Sequence, residues 1–199
     1  VKTKNLEMYL VQDPKTAAQN FDNGKVDYAT INSTLVDKYK GKDTFTTFNE
    51  GYLFYLQVNF KNNTVANKNV REALAYAINR KDLCENVLKD GSMAATGFVP
   101  SQLSKSPAGK DFRDDADKYV SYDQKKAQEY LDAAKKELGT DTITIDLLYG
   151  TDESPMDTMA EYLQGSFSKL KGLKVNMVAT VKKDRIYNRE ANGNFQVVC

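Results

Sequence analysis

In the first third of the chain, segments with the hydrophobic pattern of strands alternate with a segment that has the pattern of a helix. The runs "LEMYLV" (6–11) and "VDYATI" (26–31) have the residue types of strands, and the segment between them has those of a helix. Asp13 is placed to cap that helix, Pro14 suits its first position, and Gly24 suits its end. The pattern therefore predicts a strand, a helix and a second strand joined in a right-handed crossover.

The next segments predict a helix, two strands and a bent helical region. "STLVDKYKGK" (33–42) has the residues of a short helix, and "TFTTF" (44–48) and "YLFYLQVNF" (52–60) have those of strands. In "NVREALAYAINRKDL" (69–83) apolar residues recur at helical spacing, with a break near Asn79 that predicts two short helices.

A long irregular segment, 92–120, separates this region from a second alternating series. Loops of that length inside a domain are often functional. The segments after it predict, in order, a helix (122–139), a strand (142–150), a helix (154–172), a strand (173–181), a helix (182–193) and a final strand. The fold class predicted from this order is α/β.

Composition excludes some partners. The 199 residues include 28 basic and 27 acidic side chains, spread along the chain, for a net charge of +1. The sequence has no cluster of basic residues that could bind the phosphates of a nucleic acid, so we expect no nucleic-acid partner. No run approaches the roughly 18 apolar residues that a membrane helix needs.

Candidate catalytic chemistry is sparse. The chain has no histidine, which removes Ser-His-Asp and Cys-His catalysis and the commonest transition-metal ligand. Ser166 and Lys169 match the S-x-x-K pattern of some serine hydrolases, but without its partner motifs we interpret them as part of an amphipathic helix surface. The acidic run 111–118 suits a solvated loop, and Cys84 and Cys199 suit free thiols. We predict no catalytic residue, no metal site and no cofactor.

Several motifs occur in the order of one family. They are "DPKTAAQNFDNGKVDYATI", "YLFYLQVNF", "NKNVREALAYAINRKDL", "AATGFVP", "KAQEYLDAAKKELG" and "ITIDLLYG". Together they resemble the extracytoplasmic oligopeptide-binding proteins of bacterial ABC transporters, the OppA-like solute-binding proteins of family 5. The resemblance implies a periplasmic-binding-protein-like α/β fold of the two-lobed class II type, with mixed sheets flanked by helices. It places the end of the first lobe at 1–51, the first part of the second lobe at 52–199, and the hinge near 49–53.

The resemblance also implies ligand-binding residues. Thr30, Ile31 and Asn32 match the family's cleft-facing segment, although Ile31 replaces an aromatic residue found in some relatives. Tyr52 and Tyr55 lie on the strand that matches the hinge, where an aromatic side chain faces the peptide.

The partners that the resemblance implies are an oligopeptide and the permease subunits of an ABC importer. Location outside the cytoplasmic membrane is implied too, in the periplasm or as a cell-surface lipoprotein whose lipid anchor lies outside this chain. The chain is expected to be an internal fragment that does not bind ligand alone. Other solutes of the superfamily remain alternatives, namely nickel chelates, oligosaccharides and haem, as does a serine hydrolase that uses Ser166 and Lys169.

Overall fold

The chain divides into two compact units, Val1–Thr46 and Thr47–Cys199. The structure is a computed structural model that describes residues 2–119 and 121–199. The assignment of 1–51 and 52–199 to two lobes, with a hinge near 49–53, stays a prediction. The predicted irregular segment 92–120 is described up to residue 119, and its last residue lies outside the described residues.

The first unit contains two helices, α1 (Pro14–Asp22) and α2 (Ser33–Tyr39). The carboxylate of Asp13 accepts hydrogen bonds from the backbone N–H groups of Lys15 (3.2 Å) and Thr16 (3.0 Å). These bonds satisfy N–H groups that the first turn of a helix leaves free. The predicted start of α1 is confirmed.

The strands predicted on either side of α1 are wrong. Residues 6–11, 26–31 and 44–48 form no strand in the part of the chain that the structure describes, so no strand-helix-strand unit is present there. Leu6 and Leu10 are 80% and 96% exposed. Strand propensity is local, whereas a strand also needs a neighbouring strand for its backbone groups, and the described residues offer none here.

The second unit holds the remaining elements. Its helices are α3 (Asn63–Ala66), α4 (Lys68–Ala77), α5 (Arg80–Asp82), α6 (Phe112–Asp115), α7 (Gln124–Leu138), α8 (Met156–Phe167) and α9 (Lys182–Asp184), with π-helical turns at Leu83–Leu88 and Arg185–Glu190. Its strands are β1 (Gln57–Val58), β2 (Ile143–Gly150), β3 (Leu173–Thr180) and β4 (Val197–Val198). None of the helices described is long and apolar enough to cross a membrane.

The four strands form one mixed sheet in the order β1-β4-β2-β3. Strands β2 and β3 pair in parallel over their whole length, β4 pairs in parallel with β2, and β1 pairs antiparallel with β4. The strand predicted over 52–60 is therefore mostly wrong, because among the described residues strand β1 covers only Gln57, which pairs with Val198, and Val58, which pairs with Val197.

Helices cover the sheet and enclose the core. Helix α7 packs against α4, and α8 packs against β2 and β3. Leu131 of α7, Ile145 of β2 and Phe167 of α8 are fully buried in the same cluster. The predicted break near Asn79 is confirmed, because α4 ends at Ala77 and the Asn79 side chain accepts a hydrogen bond from the N–H of Asp82 (3.1 Å) at the start of α5.

Candidate functional site

The first group of predicted ligand-binding residues lies in the connection between α1 and α2. Thr30 is exposed, and Ile31 and Asn32 are half-buried. Asn32 precedes α2, but its Oδ1 accepts a hydrogen bond from the hydroxyl of Thr34 (2.8 Å) instead of capping the helix. Its Nδ2 donates to no residue that the structure describes. Thr30 and Asn32 can thus offer polar side-chain groups to a ligand.

Hydrogen bonds join the C-terminal ends of the two helices that flank this connection. The carboxylate of Asp22, at the end of α1, accepts hydrogen bonds from Lys38 Nζ (2.8 Å) and from the Tyr39 hydroxyl (2.8 Å) of α2. These hydrogen bonds, from Lys38 first and Tyr39 second, hold the pKa of Asp22 below its usual value, and the pKa of Lys38 is raised by the same contact. The bonds limit how α1 and α2 can move relative to each other.

The second group lies on an exposed aromatic segment, residues 47–56. Tyr52 is 75% exposed, and Phe54 and Tyr55 are also largely exposed. Single exposed apolar side chains are normal on a protein surface, whereas three exposed aromatic side chains within four residues suggest a binding surface. Tyrosine offers both an apolar face and a hydroxyl, which suits contact with a ligand of mixed polarity.

A long loop, residues 92–119, packs beside this aromatic segment. Asn49 Nδ2 donates to Gln102 Oε1 (2.7 Å), and the ring centroids of Tyr55 and Phe98 lie 6.2 Å apart at 55°. Gly51 has a φ of 75°, which favours glycine, and a Cβ built there would lie 3.1 Å from Leu103 Cδ1. Phe98 belongs to the motif "AATGFVP", but no pattern in the sequence distinguishes it from its neighbours as a site residue.

The five predicted residues thus fall in two groups, one in each unit. Thr30, Ile31 and Asn32 are neighbours in the first unit, and Tyr52 and Tyr55 belong to one segment of the second. The role of these five residues in ligand binding stays a prediction.

The arrangement offers little to catalysis. Ser166 is only 6% exposed, whereas Lys169 is exposed, and the described residues show no hydrogen bond between them. The prediction that Ser166 lies on a helix surface is therefore wrong, because it faces the core side of α8 beside Leu163 and Phe167. A buried hydroxyl is not available to a substrate.

The cysteines and acidic groups offer no evident site either. Cys84 and Cys199 are free, as predicted. Burial raises the pKa of both thiols, that of Cys199 to about 11, which disfavours the reactive thiolate. Across residues 2–119 and 121–199, no three His, Cys, Asp or Glu side chains cluster as they would to hold a metal ion.

The whole chain matches a known family. The model for the middle region of bacterial extracellular solute-binding proteins, family 5, matches residues 1–199. A dipeptide-binding protein of Lactococcus lactis subsp. cremoris is 32% identical over 100% of this chain and 38% of its own length. A nickel-binding periplasmic protein of Escherichia coli is 26% identical over 98% of this chain and 38% of its own length.

Solved structures give the same result. The substrate-binding domain of an oligopeptide ABC transporter from Bacillus anthracis has a TM-score of 0.84 at 31% identity, over 94% of this chain and 37% of that one. The peptide-bound OppA of Listeria monocytogenes has a TM-score of 0.84 at 29% identity, over 95% of this chain and 38% of that one. These similarities confirm the predicted periplasmic-binding-protein-like α/β fold, and the chain spans under two fifths of these relatives' length. The chain belongs to family 5 of the bacterial extracellular solute-binding proteins.

Proposed function

We propose that the full-length gene product binds oligopeptides outside the cytoplasmic membrane and delivers them to the permease subunits of an ABC importer. The proposal depends mainly on one structural similarity. Over 95% of its length the chain superposes, with a TM-score of 0.84, on a relative whose structure was solved with bound peptide. The 32% identity to a dipeptide-binding protein over the whole chain supports the same ligand class.

The exposed groups of the candidate site suit a peptide backbone. An extended peptide presents N–H and C=O groups, and burying one without a partner costs about 1 to 3 kcal/mol. The Thr30 hydroxyl and the Asn32 amide can pair with such groups, and Ile31 beside them supplies an apolar contact. Because none of these contacts requires a particular ligand side chain, binding at this group would tolerate different peptide sequences.

The aromatic group suits peptide side chains. Tyr52 and Tyr55 each present most of a ring to solvent. Covering an exposed ring with an apolar ligand group removes apolar surface from water and so stabilises the complex. This group would bind a peptide through apolar side chains.

Isothermal titration of the full-length gene product with tetra- to octapeptides tests the proposal. We expect wild-type binding with micromolar or tighter affinity, and a loss of about tenfold on Tyr55→Ala or Asn32→Ala. Tyr187→Ala is the matched control, since that tyrosine is 69% exposed and lies outside both groups and outside the loop 92–119. Absence of peptide binding by the wild type, or equal losses in the control, would contradict the proposal.

The same titration distinguishes the alternative ligands. Nickel chelates are the alternative ligand that a specific observation favours. That observation is the 26% identity between this chain and the nickel-binding periplasmic protein of Escherichia coli. Tight binding of nickel with free histidine, in place of peptide, would favour that alternative; oligosaccharides and haem complete the panel.

We further propose that the protein is not an enzyme and is held at the cell surface by a lipid anchor outside this chain. The buried position of Ser166 supports the first point. A hydrolase screen of the wild type and Ser166→Ala should show no turnover in either form.

Metabolic labelling with a radioactive fatty acid should label the gene product if the anchor exists, and absence of label would contradict the proposed anchor.

A further inference from the structure

The long loop is folded on itself by a few hydrogen bonds. Asp111 joins its two arms, because Oδ2 accepts from the N–H of Gln102 and Oδ1 accepts from the N–H of Arg113 (2.8 Å). Near the ends of the loop the N–H of Tyr119 donates to the C=O of Thr96 (3.2 Å). The loop therefore has a defined structure, in spite of having little regular secondary structure.

One side chain of the loop occupies the space beside a glycine. A Cβ built at Gly97 would overlap Arg113 Nη1 and lie 2.8 Å from Arg113 Cζ. The Nε and Nη1 atoms of Arg113 are buried and have no hydrogen-bond partner among the described residues. The guanidinium is held instead by packing against the Gly97 backbone and near the ring of Phe112, whose centroid is 5.1 Å from Cζ.

Gly97 is the residue before Phe98. The Phe98 side chain is 77% exposed, and it meets Tyr55 at a centroid distance of 6.2 Å. The backbone position of Gly97 therefore sets the point from which the Phe98 side chain leaves the chain towards Tyr55. Arg113 packs at that point.

We infer that Phe98 is a specificity-determining residue that, with Tyr55, binds one apolar side chain of the peptide, and that Arg113 is the residue that positions Phe98. This inference rests on the proposed function. The rings of Phe98 and Tyr55 are tilted relative to each other. An apolar group that contacts both rings removes more apolar surface from water than a group that contacts one ring. Arg113 touches Gly97 and does not need to touch the ligand.

Titration of the full-length gene product with a set of tetrapeptides tests the inference. The set consists of tetra-alanine and the four peptides in which one alanine is replaced by phenylalanine. The quantity compared is the ratio of affinities between each phenylalanine peptide and tetra-alanine. We expect one position to show a clear preference for phenylalanine in the wild type, and Phe98→Ala to lower that preference by about tenfold.

Two variants address Arg113 by different routes. Arg113→Ala removes the guanidinium, and Gly97→Ala keeps it but forces it out of its place. Both should reduce the same preference at least threefold, and neither should reduce it further when combined with Phe98→Ala. Gly165→Ala is the matched control, because a Cβ there meets nothing within 4 Å, and it should leave the preference unchanged.

A purely structural role of Arg113 predicts a different result. Thermal unfolding would then shift in Arg113→Ala while the phenylalanine preference stayed at its wild-type value in both variants, and that outcome would overturn the inference. An effect of Arg113→Ala that persisted in full on top of Phe98→Ala would overturn it too. Failure of the wild type to bind any peptide would instead overturn the proposed function, and this inference with it.

Discussion

Asn59 connects β1 to the segment before β4, and its replacement should be among the most destabilising changes of a polar residue in this chain. Its Nδ2 donates to the C=O of Gly193 (2.9 Å) and of Phe195 (2.8 Å), and its Oδ1 accepts from the N–H of Lys61 (3.0 Å). The two bonds that Asn59 donates join segments more than 130 residues apart. They also hold β1 and β4 in place, the pair that forms one edge of the sheet.

The magnitude follows from these three bonds. A hydrogen bond of this kind contributes about 0.5 to 1.5 kcal/mol net, and a partner left without one costs more when it is buried. Asn59→Ala removes all three bonds and leaves two partly buried C=O groups unpaired, so the free energy of unfolding should fall by about 3 kcal/mol. Asn59→Asp keeps the acceptor for Lys61 but loses both donors, and its carboxylate would face two carbonyl oxygens, so it should destabilise at least as much at pH 7.

Urea unfolding followed by circular dichroism measures the change. Asn62→Ala is the comparison, because the Asn62 side chain caps α3 with local bonds to Thr64 and Val65, and its loss should cost about 1 kcal/mol. A loss below about 1 kcal/mol for Asn59→Ala, or a stable Asn59→Asp, would show that these bonds do not hold the strand pair.

Two further predictions concern the second unit. Burial first, and the hydrogen bond to Asp82 (2.8 Å) second, raise the pKa of Tyr162 from the ordinary tyrosine value to about 12. Because the folded pKa lies above the unfolded one, this contribution to stability is complete below pH 10 and is lost as the pH rises towards 12. Ultraviolet titration should therefore show one late-ionising tyrosine that Tyr162→Phe removes, and an unchanged titration curve in that variant would contradict the assignment. Leu131→Ala should lower the free energy of unfolding by about 2 to 5 kcal/mol, because Leu131 is fully buried, whereas Leu10→Ala, at a 96% exposed position, should change it by less than about 0.5 kcal/mol in urea titrations. Equal losses in the two leucine variants would mean that Leu131 is not part of the core.

The starts of α1, α5 and α7 were predictable because their signals are local. Asp13, Asn79 and Asp123 each bond to N–H groups within three residues, so their sequence positions suffice to place the start of α1, α5 and α7. The αL residue Gly139 ends α7 for the same local reason. Apolar residues at helical spacing and the alternation in β2 then identified the faces that become buried.

Strand pairing and the aromatic pair depended on tertiary structure. Residues 6–11 and 52–56 have the composition of strands, but a strand requires a partner for its backbone groups, and composition does not say whether one is present. The contact between Tyr55 and Phe98 joins residues 43 positions apart through a loop without a period, so no pattern in the sequence could predict it. The sequence by itself predicted the α/β class and the starts of α1, α5 and α7, because capping residues and hydrophobic periods depend on neighbours in the chain, and the order of its motifs indicated the family. Only the tertiary structure decided which residues stand beside Tyr55, because that depends on how the long loop folds onto a distant segment.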